Sequence, residues 1–290
     1  MQLDIFEHSR DVMLRNDVLH ALQSRDAAAA RAAWHRFAAE LPRDDTLPTL
    51  DVLITALQQR DNDAIADTRS AKDALQQLRE HVEPAARRLL GDAAATSWLL
   101  PLWRQLAQRC ARLTFRADDS AVHAAPLWLV AGDWAAAAQA VAGIESWRRI
   151  PAPLAWMAEA QYRVQGLHAT WGLLAELAWL SPGRFDDLIK RLADPLLQRL
   201  RRSFDAAFEG HGDVSDLAWL PAWCLTEKPD LAGPLAAAQP ALQSPPERAM
   251  RTLLELLGLE RQGRHRELIE HRKTLRGLHA SLYAAYMRSR

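Results

Sequence analysis

The sequence predicts an all-α protein: a right-handed solenoid of antiparallel helical hairpins, elongated or curved. Three observations predict it. Ala21-Leu22-Gln23-Ser24-Arg25-Asp26 returns 35 positions later as Ala56-Leu57-Gln58-Gln59-Arg60-Asp61, and Trp128-x3-Gly132 returns 34 positions later as Tyr162-x3-Gly166. Self-similarity near that period marks units that bury their apolar faces only against their neighbours. Ala, Leu, Arg, Glu and Gln abound while Val, Ile and Thr are sparse, and the abundant types lose little rotamer freedom in a helix. Apolar residues also recur at helical spacing between Gly, Pro and Asp stops.

The elements follow in order. A first helix is predicted over Ser9–Gln23, with Ile5, Val12, Met13, Val18, Leu19 and Leu22 as its apolar stripe. Asp26 then stands as the N-cap of a helix over Ala27–Glu40, its carboxylate placed for the orphan amides of the next turn; Pro42 ends that helix. A second hairpin is predicted over Thr49–Gln59 and Asp63–His81, turning at Arg60-Asp61. Pro84 fits the first turn of a short helix ending near Gly91. A long helix over Ala93–Phe115 carries Trp98, Leu99, Leu102, Trp103, Leu106, Cys110 and Leu113. These elements make an N-terminal region of hairpins over residues 1–115.

Residues 116–182 carry the clearest repeats. Over 118–151 the chain reads as a hairpin about Gly132-Asp133, closed by Pro151; over 152–182 it reads as a hairpin about Gly166, closed by Ser181-Pro182. Tyr162 sits one helical turn before Gly166, and Ala175 and Ala178 follow at a spacing that permits close helix approach. In these residues the chain resembles the tetratricopeptide repeat family. The resemblance implies stacked hairpins and an interaction role. Trp171 stands where that family prefers a small residue, and Arg25 and Arg60 replace its turn glycine.

The remaining region, 183–290, is predicted as one or two amphipathic helices over Phe185–Phe204, with Asp194-Pro195 as a cap and restart. A joint over 210–246 follows, where six prolines leave room only for short helices. A terminal capping hairpin runs over Glu247–Gln262 and Arg264–Met287, turning at Gly263.

Composition narrows the function. Formal net charge is zero, so nucleic acid is disfavoured as a partner, since phosphate binding needs a basic excess. The two cysteines, Cys110 and Cys224, form no CxxC pair and read as small buried hydrophobes of a reducing compartment. No apolar run reaches the roughly 18 residues of a spanning helix, which argues against membrane insertion, and the expected location is cytoplasmic. Thirty-two arginines against four lysines fit a GC-rich bacterial genome.

The expected function is a non-catalytic scaffold or adaptor for a protein or peptide partner, with no cofactor and no metal. Its candidate contact residues are Asn16, Arg163, His168, Trp219 and Trp223, joined by a basic stripe of Arg264, Arg272, Lys273 and Arg276. On this reading Arg163→Glu weakens partner binding without lowering Tm. Eleven tryptophans can line a groove or fill gaps between Ala-rich helices. Trp128, Trp156 and Trp171 read as core by their periodicity, and Trp219 and Trp223 as partly exposed. The stripe reads equally as a solvated helix face.

An alternative is an all-α enzyme near Asp186, Asp187 and His211. Asp186-Asp187 opens a DDxxD diphosphate motif, but Lys190 occupies its closing acidic position and repels a metal. A second alternative is a nucleic-acid-associated array using the basic C-terminal hairpin. Self-association through the last helix is left open.

Overall fold

The computed structural model describes residues 2–59, 63–240 and 243–290, with side chains from residue 10 onward. Every regular element among them is helical. The chain divides into two compact units, Met1–Asp133 and Trp134–Arg290. The boundary falls in the Gly132-Asp133 turn.

The first unit opens with α1 (Gln2–Gln23), which starts earlier than the sequence predicts, and α2 (Ala27–Glu40). Val18, Ala21 and Leu22 pack with Ala30, Ala33 and Phe37. Val12 and Met13 do not join that stripe; they are 52% and 65% exposed. The turn is closed by Arg25 N–H to Leu22 O (3.1 Å) and Asp26 N–H to Ala21 O (3.0 Å), with Arg25 at φ +57°. Asp26 caps α2 by accepting from Ala28 and Ala29 N–H at 3.1 and 2.9 Å.

Next comes α3 (Leu47–Gln58), with Pro48 in its first turn. The turn predicted at Arg60-Asp61 lies outside the described residues. The following helix starts at Thr68, not Asp63, because Ile65 N–H is engaged by Arg109 O at 2.9 Å and Asp67 provides the cap. It runs as α4 (Thr68–Gln76), a π-helical segment (Gln77–Val82) and α5 (Glu83–Leu90). Pro84 lies in the first turn of α5, which ends just before Gly91 as the sequence predicts, but α5 continues the π segment without a break. The wider turn before it, with Glu83 N–H reaching Leu78 O, accommodates a residue that has no donor of its own.

Helix α6 (Asp92–Arg109) stops six residues short of Phe115. Arg109 O, the acceptor that Leu113 would need, is held by Ile65, and Leu113 N–H bonds to Cys110 O instead. A 3-10 turn (Ala117–Val122) and α7 (Ala124–Val130) complete the unit.

The second unit begins with α8 (Trp134–Ala142), α9 (Pro151–Gln165) and α10 (Leu167–Leu180). From Thr170 to Trp179 every residue of α10 is buried, which makes it the centre of this core. Tyr162 anchors α9 by donating from its hydroxyl to Asp194 at 2.9 Å, and the same Asp194 caps α12. Against α10 pack α11 (Pro182–Leu192), α13 (Leu220–Glu227) and the short α14 (Ala232–Ala236), with α12 (Pro195–Ala207) packed on α11 and α13, and α15 (Pro245–Gln262) on α13 and α14. Gly172 allows a close approach: a Cβ there would meet Ala238 N at 3.0 Å and Ala237 C at 3.1 Å.

The predicted last helix is two, α16 (His265–Leu278) and α17 (Ala280–Arg288). The break is at His279, whose ring centroid lies 4.7 Å from that of Phe208 and 4.6 Å from that of Trp219. His279 Nδ1 then accepts from Leu282 N–H and caps α17.

Two buried carboxylates hold the loop that joins α14 to α15. Glu176 accepts from Gln239 N–H at 2.8 Å, and Glu247 accepts from Gln243 N–H at 2.8 Å. Arg251 donates to Glu247 at 3.2 Å, and Arg148 lies 3.4 Å from Glu176. Burial raises the Glu176 carboxyl above the usual range; the Gln239 hydrogen bond and the Arg148 and Arg251 charges act the other way.

A carboxyl whose folded pKa exceeds its unfolded one gives its full stability at acid pH and loses it as pH rises through the folded value. Glu176→Gln lacks that titration, so its Tm relative to wild type should rise as the pH increases from the range where a free carboxyl titrates towards neutrality. Parallel melting curves across that range would reject this account.

Candidate functional site

Two adjoining depressions of about 350 and 90 Å³ share Ala56, Gln59, Leu102 and Gln105 and form one groove in the first unit. Helix α3 supplies Ala56 and Leu57 and its C-cap supplies Gln59; α6 supplies Leu102, Arg104, Gln105, Leu106, Gln108 and Arg109. The π segment lends Gln77, Leu78 and Val82, and the α1–α2 turn lends Arg25. The amphipathic helices give the floor its apolar character, with Leu78, Val82 and Leu106 buried in the unit's core. π segments recur at functional sites because the extra residue re-aims the side chains around it.

The polar groups of the groove are amides and guanidiniums. Gln105 donates to Gln59 O at 3.2 Å, and Arg109 Nε donates to Asp63 O at 3.2 Å, so α6 engages the backbone of Gln59 and Asp63. Arg25 donates to Trp98 O at 2.6 Å, and its guanidinium lies 5.3 Å from the Trp98 ring centroid. Burial pushes its pKa below the usual guanidinium value. No Asp or Glu lines either depression among the described residues. Such a surface can hold an extended chain, with apolar contacts below and hydrogen-bond donors at the rim.

The residues singled out from sequence do not form one site. Asn16 is exposed on α1, and His168 is exposed in the first turn of α10. Arg163 is exposed with its guanidinium 5.5 Å from the Trp134 ring centroid and 5.8 Å from that of Tyr162. Trp219 is half-buried against Phe208 and His279. Trp223 is not partly exposed: it is 1% exposed, boxed by Phe204 and Phe208 in edge-on contact, and cannot touch a partner. Trp171 is buried, while Trp128 and Trp156 are half-buried.

In the basic stripe, Arg264 pairs with Glu267 at 2.5 Å and Lys273 with Glu270 at 2.8 Å. Arg272 lies 3.6 Å from Glu260 and against Tyr286. Only Arg276 is exposed without an ion pair among the described residues of that stripe.

Asp186 lies in a cavity of about 620 Å³ beside Asp205, Glu209, Asp213 and Asp216. Its carboxylate is engaged by Lys190 at 2.6 Å and by Arg201, which leaves it poorly placed to act as a base. Asp187 is exposed on the next position of α11. The His211 loop wraps around Asp216, which accepts from His211 and Gly212 N–H at 2.9 and 2.7 Å. That arrangement is a loop clamp. Among the described residues no group of three His, Cys, Asp or Glu side chains is placed to share a metal ion. No helix among them is long and apolar enough to cross a membrane.

No family model matches this chain, and neither a curated protein nor a solved structure matches it.

In the sequence Arg25 stands out as a departure from a turn glycine, whereas Gln59, Gln105 and Arg104 do not stand out at all. On a helix net those residues look like any solvated face. The one available signal was the arginine in a glycine's place.

Proposed function

We propose that this chain is a non-catalytic interaction module, a tetratricopeptide-like right-handed solenoid of hairpins acting as a cytoplasmic adaptor. A segment of a partner protein lies in the groove of the first unit. The observation that carries this reading is the groove, with an apolar floor and donors at its rim positioned by helix packing. Because the walls are already ordered, binding immobilises the partner segment and leaves the receptor unchanged. The repeat architecture is supported by neighbouring helices that pack across positive-φ turns, at Arg25 between α1 and α2, Gly166 between α9 and α10, and Gly263 between α15 and α16.

The test is affinity capture from a lysate of the source organism, on wild-type, Arg104→Glu and Arg163→Glu baits. Arg104 is exposed, so its replacement leaves the fold intact. Recovery of a specific partner should fall about tenfold with Arg104→Glu, equivalent to about 1.4 kcal/mol. Arg163→Glu should retain the partner, with a small drop in Tm, since it gives up ring contacts worth about 0.5–1 kcal/mol. Loss on Arg163→Glu alone would move the binding surface to Trp134 and Tyr162 of the second unit.

A further inference from the structure

We propose that the segment held by the first-unit groove is acidic: an extended peptide whose Asp or Glu side chains take Arg25 and Arg104 as counter-ions. The proposal rests on the interaction reading above and adds the chemistry of the ligand.

Arg25 carries the argument. Among the described residues three helix ends close with the same pair of backbone hydrogen bonds, at Arg25-Asp26, Gly132-Asp133 and Gly263-Arg264. The first residue of each pair is in the left-handed region, at φ +57°, +73° and +69°. Glycine fills two of these positions, as the missing Cβ favours. Arginine fills the third at some cost in backbone strain, as Ala193 does at the end of α11 (φ +51°); unlike that alanine, Arg25 carries a side chain that reaches both Trp98 and the groove.

Part of that reach is structural, since Arg25 donates to Trp98 O. This contact leaves most of the guanidinium's five donors unspent. Arg25 is half-buried, and no carboxylate pairs with it among the described residues. Other half-buried guanidiniums of this chain are matched: Arg15 with Asp44, Arg31 with Asp51, Arg201 with Asp186, and Arg251 with Glu247. A cation withdrawn from water without a counter-ion favours an arriving anion. Arg104, which α6 contributes to the same depression, is also without an ion pair among the described residues.

The rest of the groove selects a peptide over a free anion or a nucleic acid. Its floor of Ala56, Leu102 and Leu106 offers apolar contact for alternate side chains of an extended strand. Exposed Gln77 and Gln108 can each donate to and accept from a main chain. The chain as a whole has zero formal net charge, without the basic excess that a phosphate backbone demands.

The experiment is selection of a random dodecapeptide phage library on the immobilised full-length chain, followed by affinity measurement on synthetic peptides. Selected peptides should carry Asp or Glu among apolar residues. Their affinity should fall at least tenfold when the acids become amides, and again on Arg25→Gly or Arg104→Gln. It should also weaken with added salt. Glycine suits the backbone at position 25, and exposed Arg104 supplies a second variant if Arg25→Gly lowers Tm. Neutral or basic peptides whose affinity is lost on Arg104→Glu would overturn the acidic preference and leave the groove reading standing. Peptides indifferent to every groove variant, or no enrichment over an empty support, would overturn both.

Discussion

Gly172→Leu should destabilise the protein by about 3 kcal/mol or more, at the upper end of overpacking costs. Glycine inside a helix is ordinarily a weakness, and alanine in its place gains about 1 kcal/mol from propensity alone. Here a Cβ already meets Ala238 N at 3.0 Å and Ala237 C at 3.1 Å. Alanine therefore needs a shift of a few tenths of an ångström, which offsets its propensity gain. Leucine adds three carbons in a direction closed by main chain. That main chain cannot retreat easily, because Glu176 and Glu247 hold it through Gln239 and Gln243. Urea denaturation of both variants checks the account. A leucine variant within about 0.5 kcal/mol of wild type, the range of an ordinary surface substitution, would show that the loop yields.

Trp98→Ala should cost about 4 kcal/mol, as expected for a large ring removed from a packed core. Trp98 is 6% exposed, and its indole N–H donates to Leu22 O at 2.8 Å. The same carbonyl receives Arg25 N–H, so one ring ties α6 to the end of α1. Arg25 in turn lies over this ring and bonds to the Trp98 carbonyl. Trp98→Phe separates the contributions: it keeps most of the packing and removes the indole donor, at a cost of about 1 kcal/mol. If the alanine variant proves as stable as the phenylalanine variant, the packing term is wrong. Thermal melts of the three chains decide it.

Local chemistry foretold much of the fold. The bounds of α2 follow from Asp26 and Pro42, the α9–α10 pair from Gly166, and the restart at α12 from Asp194-Pro195. Each is a signal carried within a few residues. The errors arise where a distant partner intervenes. Arg109 O is taken by Ile65, which ends α6 early; Phe208 and Trp219 hold the His279 ring and split the last helix. Trp223 misled because prolines around it suggest exposure, whereas Phe204 and Phe208 close over it. The groove was the hardest to foresee, since Gln59, Arg104 and Gln105 acquire meaning only when α3 and α6 are brought side by side. The π segment joins α4 to α5 just ahead of Pro84, and in the sequence that proline signals a new helix start and not a widened turn.

The placement of the two cysteines has a practical consequence. Cys110 belongs to the first unit and Cys224 to the second, and both are 0% exposed. Burial raises both thiols, Cys110 to about 11 and Cys224 further, so neither reacts while its surroundings stay closed. Each unit thus contains a single covalent reporter of its own opening. The rate at which each thiol is alkylated in native buffer measures the opening free energy of that unit, when reclosing outpaces labelling. A peptide map of the modified chain then assigns each rate to its unit, without a probe being added to either.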